Sequence, residues 1–169
     1  MFERLQDKLT GTDALIRAMH GSDREKFAEV FARSTVLFLQ LPPGCENGLD
    51  PNLSQEELLA HIRAGAKDLS EREQFTPLRV LRGSRRVLLL FTQQAFVQEF
   101  AQDYVRQVKR IMPFEVLGVS GRIAVRLFDD VDAVVFNAAT RHEYELPPGD
   151  ISLLRNLFPQ AKAAHAGQL

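Results

Sequence analysis

The chain has one cysteine, Cys45, and no tryptophan among its 169 residues. A single thiol cannot close an internal disulfide. The usual setting of such a chain is a reducing compartment, so a cytoplasmic protein is expected. No staple is needed at this length, because a domain near this size buries roughly 68–70% of its unfolded surface. Positive charge is not in excess either. Lys and Arg total 21 against 22 Asp and Glu, a net charge of -1, which argues against a general electrostatic hold on nucleic acid. Long apolar runs are missing. The longest aliphatic-aromatic stretch is Val87 to Phe91, far below the ~20 residues of a membrane helix, so no membrane partner is expected. The opening Met1-Phe2-Glu3-Arg4-Leu5-Gln6-Asp7 has early acids and lacks the apolar core of a signal peptide. There is no Walker loop, no Gly-x-Gly-x-x-Gly, no Cys-x-x-Cys and no internal repeat.

What is present is ordinary globular composition, 45% hydrophobic and 25% charged, which excludes a disordered or collagenous chain. Residues 1–33 read as a helical segment packed on the domain. Thr12 can cap a short helix carrying Leu15, Ile16 and Met19, and His20-Gly21 breaks it. Ser22 with Glu25 reads as a capping box, followed by Phe27, Val30 and Phe31 on one face. Residues 34–41 are a mostly apolar run suited to a strand covered on both faces. The proline- and glycine-bearing stretch 42–52 is a loop, and Ser54 with Glu57 forms a second capping box.

Phe75 to Leu81 is a second strand, with Pro77 at its start or edge. Arg82-Gly83-Ser84-Arg85 reads as a hairpin turn, and Arg86 to Phe91 returns as a central strand. The longest helix follows Thr92, a suitable N-cap. Phe96, Phe100, Tyr104, Val105 and Val108 give it a broad apolar face, expected to supply much of the aromatic core. Ser120 can cap a short helix holding Ile123, Ala124, Leu127 and Phe128. Ala133 to Phe136 is a further strand, Tyr144 to Leu146 a short one, and Pro147-Pro148-Gly149-Asp150 opens a last helix. The expected fold is α+β: a mixed, partly antiparallel sheet of four or five strands with helices packed around it, in a single domain over 34–158. Residues 159–169 read as a frayed tail.

Four groups of residues carry possible chemistry. Cys45 lies in a proline-rich loop with no neighbour to lower its pKa. His20, His61, His142 and His165 lack metal-ligand spacing, so no metal and no cofactor are expected. Asp129, Asp130 and Asp132 resemble a cation cluster, but the calcium-loop pattern fails and a solvated turn is the simpler reading. Gly118-Val119-Ser120-Gly121 lacks the final glycine of a nucleophile elbow. Ser120, Gly121 and Arg122 are instead an N-cap with a possible anion site at the helix start. Arg79, Arg82, Arg85 and Arg86 form either a charged hairpin tip that blocks aggregation or a partner contact. No catalytic set emerges, so an enzyme is not the favoured reading.

The order of these signals resembles the SseB protein N-terminal domain family, named for enhanced serine sensitivity. Leu15 to Pro42 is similar to its Phe-faced helix feeding a strand that ends in Leu-Pro. Phe75 to Phe96 resembles its hairpin, Phe-Thr element and helix, here Phe91-Thr92. Ser120 to Phe128 resembles its Ser-Gly-Arg helix. Val134 to Leu154 resembles its strand ending in Asn, followed by Glu-Leu-Pro-Pro and a closing helix, here Asn137 and Glu145-Leu146-Pro147-Pro148. Ala138 departs from the proline common in the family at that place. The resemblance implies a soluble bacterial α+β domain without a catalytic residue set. The function expected from it is that of a non-catalytic cytoplasmic binding or adaptor module, acting through a protein partner or self-association. The alternative is an enzyme or binding protein for a small anionic metabolite, built on Ser120, Arg122 and Asp129–Asp132.

Overall fold

In a computed structural model, which describes residues 14–40, 54, 56, 57, 60, 77–109 and 114–159, a six-stranded mixed sheet lies between two apolar layers. Helix α1 covers 14–20 and stops before Gly21. Helix α2, Arg24–Arg33, starts at Asp23, whose carboxylate accepts from the Lys26 N–H at 2.9 Å. The cap is therefore Asp23 and not Ser22. Both side chains can cap, and the backbone places Asp23 in the extended conformation the position requires. Ser54 and Glu57 do form the expected reciprocal pair, with N–H to side-chain distances of 2.8 and 3.2 Å.

Strand β1, Thr35–Gln40, pairs antiparallel with β3, Arg85–Phe91, and along its whole length with β4, Glu115–Ser120. β2, Arg79–Arg82, joins β3 through a two-residue turn in which Gly83 takes φ 65. β5, Ala133–Phe136, lies parallel to β3 and carries the short antiparallel β6, Tyr144–Glu145. The order is β4-β1-β3-β5-β6, with β2 also beside β3. Strand β4 was not anticipated from sequence. Its run Val116-Leu117-Gly118-Val119 is short and interrupted by glycine, and only the β1 partner makes it a strand.

Alternation along the strands splits the core in two. Val36, Phe38, Leu88, Leu90, Val134 and Phe136 turn to one face, where they meet Leu15, Met19, Phe27, Phe31 and Phe128. Leu39, Val87, Leu89, Phe91 and Val135 turn to the other, where helix α3, Gln94–Val108, lays Phe96 and Val97 on them. α3 contributes less than its sequence suggests. Phe100 and Tyr104 are only partly buried, and Val105 and Val108 are exposed. Among the described residues, the fully buried phenylalanines are Phe27, Phe31, Phe38, Phe91, Phe128 and Phe136, none of them from α3. Between β4 and β5 lie α4, Gly121–Ala124, and a 3-10 turn over Val125–Phe128, and α5, Pro148–Leu157, follows β6. Among the described residues, no helix is long and apolar enough to cross a membrane.

Thr92 is not the cap of α3. That place belongs to Gln93, which makes no side-chain capping bond. Thr92 is buried, and its N–H and hydroxyl donate to Asn137 Oδ1 at 2.9 and 3.2 Å. Asn137 is fully buried and left-handed, with φ 52. Asn137→Ala will cost about 2–3 kcal/mol, because it strands the buried Thr92 N–H and because alanine tolerates the left-handed backbone less well than asparagine does. Asn137→Gly will cost less, since glycine accepts that backbone freely. Urea denaturation of both variants measures the difference.

Candidate functional site

The side chains of three hairpin arginines, Arg79, Arg82 and Arg85, are drawn into the chain's own framework. Arg82 grips Glu143 with two nitrogens at 2.8 and 3.2 Å, and Arg85 pairs with Glu145 on β6. The Arg79 guanidinium donates to the Asp129 carbonyl at 3.1 Å, and the backbone N–H of Arg86 donates to the Asp132 carboxylate at 2.7 Å. These contacts join the β2–β3 hairpin to the segment that leads into β5, to the β5–β6 connection and to β6. The Arg82 hydrogen bond, ahead of the Ala139 N–H bond and Coulomb attraction, holds the Glu143 carboxyl below its ordinary range. A lowered carboxylate value stabilises the fold above the unfolded value of about 4.3, and the gain is lost as pH falls through the folded value. The pair is exposed, so screening limits it to under about 1 kcal/mol. Glu143→Gln will thus destabilise slightly at neutral pH and not at all in acid, as denaturant titrations at the two pH values will read.

The acidic cluster and the Ser120 helix start do not meet in a cavity. Asp129, Asp130 and Asp132 are exposed, and Asp130 sits in a left-handed turn with φ 58. Among the described residues, no group of three His, Cys, Asp or Glu side chains is placed to hold a metal ion. His20 stands edge-on to Tyr144 at 4.8 Å, and His142 lies against Phe96 at 5.2 Å. Cys45, His61, His165 and the loop 42–52 lie outside the described residues. Ser120 occupies the N-cap position of α4 without a side-chain capping bond, and the Gly121 N–H donates to the Ser34 carbonyl at 2.9 Å. The first donor of that helix start is thereby turned inward, away from any anion.

Arg122 leads elsewhere. Its guanidinium lies over the Phe158 ring, 5.3 Å from the centroid. It borders a groove of about 660 Å³ between α2 and α5. Ala28 and Ala32 line the α2 side, and Leu153, Leu157 and Phe158 the α5 side. The charged groups there are Glu25, Glu29, Arg33 and Arg122. A smaller hollow of about 430 Å³ shares Arg122, Leu157 and Phe158 and adds Ser120, Ile123 and Arg126. Two staples set the groove. At one end Arg24 Nε meets the buried Asp150 carboxylate at 3.0 Å and ties the first turns of α2 and α5 together. At the other, a Cβ on Gly121 would stand 1.9 Å from the Phe31 carbonyl oxygen, so α4 approaches the end of α2 as closely as glycine allows.

Sequence periodicity assigned these helices an apolar face but not a groove. Ala28 and Ala32, small residues one turn apart on one face, were the one local sign of a trough on α2. No nucleophile–base pair lines the groove. What it offers is an apolar trough with charged walls, suited to a protruding apolar side chain or the ridge of a helix. No family model, no curated protein and no solved structure matches the chain.

Proposed function

We propose that this chain is a non-catalytic binding module of the bacterial cytoplasm, of the kind its likeness to the SseB N-terminal domain implies, and that it recognises a protein surface through the α2–α5 groove. One observation carries the reading: the groove is apolar along Ala28, Ala32, Leu153, Leu157 and Phe158, with charge confined to four side chains. Exposed apolar surface rimmed by polar groups marks interaction sites. Leu157 is 50% exposed there, and Ile123 beside it 37%. The arginine hairpin is a weaker contact candidate, since Arg82 and Arg85 already hold acidic partners within the chain.

Filling the groove tests the reading. Ala32→Trp places an indole over the trough while α2 keeps its buried face on Phe27, Ala28 and Phe31. Affinity capture with the wild-type chain and with Ala32→Trp as parallel baits, each checked by circular dichroism, will give proteins, including copies of the bait, that the variant loses. Identical capture by two folded baits would remove the groove from the function.

A further inference from the structure

Resting on that reading, we propose that the occupant of the groove is a second copy of this chain, seated about a two-fold axis. The argument is the order of charge along the groove. Arg24 with Asp150 marks the end where α2 and α5 both begin. Glu25 stands at that end of α2, and Glu29 one turn on. Arg33 stands at the opposite end of α2. Arg122 stands there too, because Gly121 meets the backbone of Phe31 and Arg122 covers Phe158, just past the end of α5. Arg126, in the adjoining hollow, extends the basic end. The walls thus run from acidic to basic along one axis.

An isologous contact brings a patch against itself, so residue i of one copy meets residue j of the other and the reverse. A patch of one sign would repel its copy. Here a two-fold axis across the groove reverses the direction and sets Glu25 and Glu29 of one copy against Arg33 and Arg122 of the other. Shape follows the same logic. Leu157 stands half-exposed on the wall, while the small, half-buried Ala32 leaves a notch on α2. The leucine of each copy enters the notch of its partner, as knobs enter holes between packed helices. The exposed pair Glu29–Arg33, 2.7 Å apart within α2, exchanges partners at little cost, since such surface pairs contribute little.

Sedimentation velocity on the full chain tests this. The wild type will show a concentration-dependent dimer. Leu157→Arg will weaken it at least about tenfold, as expected for an interface anchor, with an unchanged circular dichroism spectrum. Glu25→Arg with Glu29→Arg in one chain, and Arg33→Glu with Arg122→Glu in another, will each be monomeric alone and will form a heterodimer when mixed. A wild type that stays monomeric up to about 1 mM, the weak limit of specific association, overturns the inference. If its capture profile still depends on Ala32, the binding reading stands without it. A dimer indifferent to Leu157→Arg and to both charge reversals also overturns it, because its interface lies elsewhere.

Discussion

Gly121→Ala will destabilise the protein by at least about 3 kcal/mol, the upper range for forcing atoms into a filled interior. The new Cβ would lie 1.9 Å from the Phe31 carbonyl oxygen and 2.6 Å from its carbon. These are backbone atoms at the end of α2, so no rotamer change relieves the clash. Either α4 lifts from α2, which breaks the 2.9 Å bond from the Gly121 N–H to Ser34, or the end of α2 unwinds. At about 2–4 °C per kcal/mol for a chain of this size, the midpoint of thermal unfolding falls by about 6–12 °C. Gly149→Ala is the control. A Cβ there meets nothing within 4 Å, and alanine in the first turn of α5 will be neutral or stabilising by up to about 1 kcal/mol. Equal midpoints for the two variants would mean that α4 and α2 are not in this close contact.

Phe31→Ala will cost about 3–5 kcal/mol, the usual toll for emptying a buried phenylalanine site. The side chain is fully buried. Its ring centroid lies 6.0 Å from that of Phe27 and 6.2 Å from those of Phe128 and Phe136, the last edge-on at 88°. It therefore joins α2, the 3-10 turn and β5 in one aromatic cluster, and the hole cannot close without moving three elements. Phe100→Ala, on the partly buried face of α3, will cost less, about 1–3 kcal/mol. Chemical denaturation of the two variants decides whether the aromatic centre lies under α2 or under α3. A larger loss at Phe100 would place it under α3, as periodicity alone suggested.

The strongest segments were legible in the sequence because one physical requirement dominated each. Val87 to Phe91 has no polar atom to satisfy outside its backbone, so a central strand is its natural place, and the structure puts a neighbour on either side of it. Gly83 between arginines permits the positive φ of the hairpin. Errors arose where two positions shared the same chemistry. Ser22 and Asp23 can both cap α2, and the path of the loop selected Asp23. Thr92 has the chemistry of a cap, but Asn137, distant in sequence, takes both its donors. The α3 face reads as core over about four turns, yet its second half lies where Val105 and Val108 remain exposed.

Of the candidate site, only Arg122 and Ser120 stood out in the sequence, and as an anion site rather than as the wall of a groove. Its residues come from α2, from Arg122 and from α5, and each alone looks like part of an ordinary amphipathic helix. By itself the sequence determined the class of the fold, a mixed sheet with helices on it, along with its turns and its strand-forming runs. Those depend on periodicity and backbone preference, which act over a few residues. Tertiary structure alone decided the strand β4, the partners of the arginines, the buried Asn137 and the groove. Each of these is a contact between segments far apart in the chain, and its geometry exists only once the intervening elements have packed.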